Sequence, residues 1–390
     1  MTKYTLFNQL LSLIDRNTFN KAVDKYDTDK FNKGINSWTH LVSMLFMHLA
    51  DATSCRDISL GLKSAQGDLN HLGVTKAPCK SSISYINQHR SYKLFEQLYY
   101  DLLEKYEPSL QRRRKYASRL KRSIYIMDAS VIPLCLSLFD WAKFRTTKGG
   151  IKLHTVLDYD TGLPCYNCIS DGGEHESQMA KATIFPTGSV LVVDRGYVDY
   201  SWLFNLDSTG VFFVTRLKIN SVHEVTEIYD IDEKHPHIVG DENIEFKTTK
   251  GSKDYPKTIR VVKVYDAEND QYLELLTNNF TWTADTISQL YKARWDVETF
   301  FKHLKQRFEV KSFVGTSANA VRIQMWVSMI CMLLIRYLER KAKFKWHFSN
   351  LVVFIRIHLY VKLNLWEWID NPVAKQNNSP PIYVDLFDAQ

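Results

Sequence analysis

Three acidic residues raise the question of chemistry. Asp128 sits in YIMDAS and Asp194 in LVVDRGY, each read as the C-terminal part of an apolar strand. A carboxylate in such a setting is costly unless it is paired, hydrogen-bonded or bound to metal. Either aspartate alone has a plainer use, since Asp commonly caps the turn that follows a strand. Together they ask for a third carboxylate, and the helix expected from Thr283 to about Phe308 offers Glu298. With Tyr291 as origin and about 100° per residue, Arg294, Glu298, Lys302 and Lys305 fall within an arc of about 80°. Ala293, Val297, Phe300, Phe301, Leu304 and Phe308 gather on a separate apolar face. Glu298 with Lys302 would also suit an ordinary i,i+4 pair on a solvated helix, worth a few tenths of a kcal/mol.

The elements that must position these groups follow from hydrophobic patterning. SIYIMDASVIP, GIKLHTVLDYD and LPCYNCIS read as three consecutive strands. HESQMAKATIF then reads as a helix, SVLVVDRGY as a buried strand, DYSWLFNLDSTG as a helix and VFFVTRLK as a strand. The order β-β-β-α-β-α-β is that of a ribonuclease-H-like sheet, in which a meander is extended by parallel strands through helical crossovers. After Lys218 come about fifty residues rich in Val, Ile, Thr and Tyr, with turn signals at HPH, GDEN, KGSKDYP and AEND, before LELLTNNF resumes the sheet. The fold class expected is α/β: a ribonuclease-H-like core with a β-rich insertion, an all-helical N-terminal domain and C-terminal helices.

Ahead of the core, helical patterns cover Phe7–Ile14, Ser37–Ala50, Cys55–Lys63 and Ser81–Tyr106. Lys80, Ser81 and Ser82 open a helix bearing Asn87, Gln88 and Arg90, which suits either a helix-turn-helix reading head or an ordinary helical bundle with a polar surface. QRRRKYASRLKR follows, crowding Arg112, Arg113, Arg114, Lys115, Arg119, Lys121 and Arg122 into twelve residues. Such a run repels itself unless an anion lies nearby, and phosphate contact is its natural use, although a solvated linker is the ordinary alternative. The division expected is a helical DNA-binding domain over 1–110, a basic linker over 111–122 and the first part of the core over 123–218. A β-rich insertion over 219–270, the rest of the core over 271–310 and a C-terminal helical region with a tail over 311–390 complete it.

YKARWDVETFFKHLK resembles the signature of the DDE transposases of bacterial insertion sequences that carry a Y-R-E-K pattern: Tyr, two residues, Arg, three, Glu, six, Lys. Tyr291, Arg294, Glu298 and Lys305 fit it in full, and KGGIKLHTVLDYDTGLP and VVDRGY look like the preceding blocks. The resemblance covers roughly residues 123–340. It implies that Asp128, Asp194 and Glu298 are the catalytic carboxylates and hold two Mg²⁺ ions, with Mn²⁺ as a substitute. The reaction implied is cleavage at transposon ends followed by strand transfer, cut-and-paste transposition of an insertion sequence. Tyr291, Arg294, Lys302 and Lys305 would grip DNA, Trp295 could stack on an unstacked base, and Arg112 to Lys115 would hold backbone. The partners implied are double-stranded DNA, as terminal inverted repeats and target, and a second copy of the chain in a homodimer, joined through the C-terminal helices. Two other readings stay open: a domesticated DNA-binding protein without catalysis, and a ribonuclease-H-like nuclease that cuts without joining.

Composition is compatible with all three. The chain is 45% hydrophobic and 24% charged, with net charge +7, which favours a polyanionic partner without naming one. Met325–Leu338 is interrupted by Ser328 and Arg336 and reads as a buried helix too short for a bilayer core of about 30 Å. The N-terminus lacks the small-residue cleavage site of a secretory signal, so a cytoplasmic protein without membrane contact is expected. Six scattered cysteines fit reduced thiols, and Cys165 and Cys168 lie in a strand whose residues three apart face opposite sides, so no zinc is assigned to them. His154 and His175 lie near the core and read as structural histidines, and Trp282 as ordinary packing.

Overall fold

The computed structural model describes residues 2–372 apart from 33, 66, 112–119, 136, 140, 146–147, 172–179 and 309–312. Arg112, Arg113, Arg114, Lys115, Arg119, His175 and the first five residues of the helix expected at HESQMAKATIF lie outside the described residues, and 180–182 are helical.

One mixed sheet organises the molecule. Strands β1 (Ile124–Leu134), β3 (Lys148–Asp158) and β4 (Leu163–Asp171) form an antiparallel meander, with the short β2 (Lys143–Arg145) beside the start of β3. On the other edge of β1, β5 (Val190–Val193) and β6 (Phe212–Arg216) add in parallel. Reading β4-β3-β1-β5-β6, this is the ribonuclease-H-like order expected. The insertion does not stand apart. Its strands β7 (His223–Ile228), β8 (Ile238–Phe246), β9 (Ile259–Asp266) and β10 (Gln271–Thr277) form a second antiparallel meander, and β10 pairs with β6, so one sheet of ten strands runs through both parts.

GDEN, expected to turn, lies inside β8. Asp241 and Glu242 are buried there because each meets a cation across the ladder. Arg260 grips Asp241 through two bonds of 2.8 and 2.6 Å, and Lys263 reaches Glu242 at 2.8 Å. Bidentate pairing with Arg260 compensates the desolvation of the Asp241 carboxylate, and the single Lys263 contact that of Glu242.

Strand alternation divides the core between two faces. Ile124, Ile126, Val190, Val192 and Val214 face the helical body. Met127, Leu191, Val193 and Phe213 face the opposite layer, built around a helix of residues Tyr200–Ser208. The helical body combines both ends of the chain: α1 (Leu6–Leu11), α2 (Arg16–Lys25), α3 (Ser37–Ala50), α4 (Cys55–Lys63), α5 (Lys80–His89) and α6 (Lys93–Leu110) pack in one cluster with the C-terminal helices. At its centre the helix Ala318–Lys341 meets α3, α5 and α6. This helix is longer than the stretch expected and long enough to span a bilayer, so length does not exclude that role. Burial does, since 83% of its most apolar window is enclosed by protein.

The helix expected over Ser81–Tyr106 is two. Asn319 enters the break, donating to the carbonyls of Asn87 and Arg90 at 2.9 and 2.7 Å and accepting from Tyr92 N–H at 3.3 Å, so it satisfies helix ends that would otherwise be orphaned. The reading-head expectation meets the same interior. Asn87 is fully buried and bonded to His40 at 2.7 Å, and Arg90 is buried against the Ile35 carbonyl at 2.6 Å. Two of the three polar residues on the candidate reading helix are therefore internal struts, and Gln88 is exposed.

Candidate active site

Register brings the two aspartates together. β1 and β5 pair in parallel up to Met127 and Val193, so Asp128 and Asp194 are the next residue on each chain and share a face of the sheet. Neighbouring strands lie about 4.8 Å apart, which sets the separation of their backbones. Asp128 sits mid-strand, because β1 continues to Leu134 along β3; the end it marks is that of the ladder with β5. Asp194 has left β5 and precedes a short 3₁₀ turn, Arg195–Tyr197. Both stand at the C-terminal edge of the parallel strands, where open α/β sheets place their sites.

The helix expected from Thr283 to Phe308 begins as expected, with the Thr283 hydroxyl accepting from Thr286 N–H at 3.2 Å, but it breaks in two. Ala284–Lys292 and Trp295–Arg307 are joined by tight turns in which Arg294, Asp296 and Val297 N–H reach carbonyls three residues back and Ala293 N–H is shared between carbonyls three and four back. Three-residue turns advance by about 120° rather than 100°, so one helical wheel cannot be carried across them. Tyr291 falls in the first helix and Glu298 in the first turn of the second, whose positive end favours a carboxylate. Val297, Phe300, Phe301 and Leu304 are buried and hold the second helix against the core.

Arg294, at the junction, reaches the carboxylates. Its guanidinium lies 2.7 Å from Glu298 and 3.8 Å from Asp128. The Tyr291 hydroxyl donates to Asp194 at 3.4 Å. Burial pushes the Tyr291 phenol up to about 12, with the Asp194 charge adding to the effect, so the group remains a proton donor at neutral pH. Burial works against the charge of Arg294, but Tyr291, Glu298 and Asp194 more than offset it and raise its pKa. Asp128, Asp194, Glu298, Tyr291 and Arg294 thus form one connected group.

The remaining expected residues are placed differently. Lys305 is held at β1, donating to the Ser130 hydroxyl at 2.6 Å and the Val131 carbonyl at 3.0 Å. Lys302 is exposed, and Trp295 is 56% exposed beside Arg294, at the rim of a cleft of about 350 Å³ that Tyr291 also lines. Trp282 packs on Phe212, and His154 is buried beside Ser170 at 3.0 Å. Sequence reasoning missed Arg195 and Arg216, which with Lys263 line a second cleft of about 260 Å³. Arg195 follows Asp194 directly and Arg216 ends the next parallel strand, so the strand-end rule was signal enough to find both.

Sheet order, crossovers and acidic residues at the strand ends define a ribonuclease-H-like α/β protein. The chain belongs to the Transposase DDE domain family, whose profile matches residues 119–334, more than half its length. Residues 2–75 separately match a family described as a domain of unknown function, DUF4372. A protein of Sinorhizobium fredii named as a transposase, y4zB, is 33% identical over 55% of this chain and 60% of its own length. A Geobacillus stearothermophilus protein named as a transposase for insertion sequence element IS5377 is 26% identical over 63% of this chain and 64% of its own. The chain thus spans less than two thirds of the length of these relatives. The cryo-EM structure of a piggyBac transposase synaptic complex with hairpin DNA aligns over 94% of this chain and 85% of its own, with TM-score 0.41 and 8% identity, a likeness too slight to carry an argument. Membership of the family implies dependence on a divalent metal.

Proposed function

We propose that this protein is a DNA transposase that cuts at the ends of an insertion sequence and joins them to target DNA, with Asp128, Asp194 and Glu298 as its metal-binding carboxylates. The observation that carries the reading is the placing of Asp128 beside Asp194 by strand register, with Arg294 linking Asp128 to Glu298, inside the family-matched segment.

The donor set suits the metal. Three carboxylates supply hard oxygen ligands of the kind Mg²⁺ and Mn²⁺ take, and the position between Asp128 and Glu298 already draws a cation, the Arg294 guanidinium. Its Nε is buried and makes no hydrogen bond, so Arg294 is not fully satisfied where it lies. Bound there, a pair of Mg²⁺ ions would activate the attacking hydroxyl and stabilise the leaving oxygen of an in-line displacement.

The chain's own residues do the positioning. Tyr291 fixes the Asp194 carboxylate by hydrogen bonding, and Arg294, with its planar fork, is placed to grip a phosphate next to the carboxylates. Lys305 anchors the second helix to β1, Lys302 faces outward toward DNA backbone, and Trp295 offers an indole face to a displaced base. Arg195 and Arg216 extend the positive surface on the insertion side, and the basic sequence Arg112 to Lys115 would add contacts to DNA backbone. Two ends must be held together, so the complex on DNA is a homodimer, acting in the cytoplasm. The central helix Ala318–Lys341 is enclosed within its own chain, which leaves the dimer contact to other surfaces.

The test is Mg²⁺-dependent cleavage and joining of DNA carrying the element's own ends, wild type against Glu298→Ala. Cleavage and joining should vanish in the variant while DNA binding persists. Equal activity in both proteins would reduce Glu298 to a surface charge, and cutting without joining in the wild type would make the protein a nuclease.

A further inference from the structure

Away from the three carboxylates, the described residues contain one group with the composition of a transition-metal site. His235, His237 and Asp285 each offer a donor atom, all within 4.8 Å of one another. The two histidines flank Pro236 in the link between β7 and β8, whereas Asp285 lies in the first turn of the helix Ala284–Lys292, which ends at the residue after Tyr291. The link is held by backbone bonds: His235 N–H to Asp232 at 3.0 Å, Ile238 N–H to His235 at 2.9 Å, and Tyr265 N–H to His237 at 2.8 Å. The backbone that carries both histidines is therefore fixed before any ligand arrives.

Distances decide what would fit. Asp285 Oδ1 lies 3.6 Å from His235 Nδ1 and 3.3 Å from His237 Nε2. Tetrahedral zinc with bonds of ~2.0–2.1 Å sets its donors ~3.3–3.4 Å apart, so the two Asp285 spacings need only a few tenths of an ångström of adjustment, and the two histidine donors, within 4.8 Å of each other, would close on the ion by rotating their rings. A direct hydrogen bond serves His237 less well: its Nε2 is buried yet makes none, despite the nearby carboxylate. Asp232 Oδ2 lies 4.0 Å from His235 Nε2, the ring nitrogen turned away from Asp285, where a carboxylate suits an outer partner that orients the imidazole; a water would supply the fourth ligand. Two imidazoles and a single carboxylate favour zinc over the hard ions suited to the catalytic carboxylates.

We propose that His235, His237 and Asp285 bind Zn²⁺, and that the ion clasps the insertion to the helix that delivers Tyr291. The site involves none of the residues assigned to catalysis, so it stands or falls separately from the transposase reading. A salt-bridge cluster that merely complements a helix N-terminus would show the same residues without metal affinity.

The experiment uses full-length protein without a polyhistidine tag, in an Asp128→Ala, Glu298→Ala background so that zinc cannot lodge at the catalytic carboxylates. Zinc retained after dialysis is counted, affinity is measured by calorimetry, and Co²⁺ is substituted to read a tetrahedral absorption band. About one equivalent is expected, with His237→Gln and Asp285→Asn each weakening binding by more than about 100-fold, beyond what an outer-shell change costs. His235→Gln provides a third variant if either of those fails to fold by circular dichroism. Absence of zinc binding in the background protein, or binding untouched by these substitutions, would overturn the proposal.

Discussion

Replacing Asp241 with alanine strands a buried cation. The Arg260 and Asp241 side chains are each only 6% exposed, and their two hydrogen bonds are the charge-assisted kind. Arg260 would retain the carbonyls of Trp282 and Asn279, at 2.7 and 3.3 Å, but no counter-charge in this pair. Breaking a buried pair from one side costs about 3–5 kcal/mol. Unfolding entropy near 60 °C is about 2.1 cal/mol/K per residue, or roughly 0.8 kcal/mol/K if all 390 residues unfold together, so the loss is worth about 4–6 °C in Tm. Differential scanning calorimetry at neutral pH reads it directly. Asp241→Leu combined with Arg260→Met should recover most of the loss, since an apolar pair leaves no charge uncompensated. A single-variant shift under about 1 °C, or a double variant no better than the single, would refute the claim that a stranded charge is the cause.

Two further expectations concern acid and surface. Burial, with the Arg90 charge acting in the same direction, holds the His40 imidazole down to about 3 from 6.5, so the folded state keeps it neutral while the unfolded chain takes up a proton. The stability this supplies is complete above about 6.5 and drains away as pH falls toward 3; melting curves of wild type should therefore decline more steeply with acidification than those of His40→Gln, and parallel declines would remove His40 from the account. Trp295→Ala should leave stability within about 0.5 kcal/mol, because the ring is mostly in solvent. The same change should slow strand joining on cleaved ends by about 5- to 150-fold, the worth of ~1–3 kcal/mol of base stacking, and joining at the wild-type rate would return Trp295 to ordinary surface.

The ribonuclease-H-like order was legible because each core strand is a short apolar run closed by Gly, Pro or Asp, and two of those runs carry their aspartates at matching positions. Less legible features depend on partners distant in sequence. GDEN looks like a turn until Arg260 and Lys263 are known to lie across from it. Asn87 and Arg90 look like exposed polar residues until His40 and Ile35 close over them. The break at Ala293 and Arg294 escapes notice for another reason: a three-residue turn barely disturbs the apolar periodicity, yet it rotates Tyr291 relative to Glu298 and so decides which carboxylate each residue meets. Arg195 and Arg216 carried a local signal, their adjacency to strand ends, that the search for acidic residues passed over.

The segments matching the two families, 2–75 and 119–334, look like separable modules along the chain, but in three dimensions α3 from the first is buried against Ala318–Lys341, most of which belongs to the second. His48 ties them further, its ring nitrogens meeting the carbonyls of Phe308 and Gln324 at 2.9 and 3.0 Å. Neither segment carries a finished interior of its own. Removing the N-terminal segment would leave a bilayer-like helix facing water, and exchanging it for a relative's would set mismatched side chains against that helix, so substitutions in the N-terminal segment are constrained by a partner more than two hundred and fifty residues away.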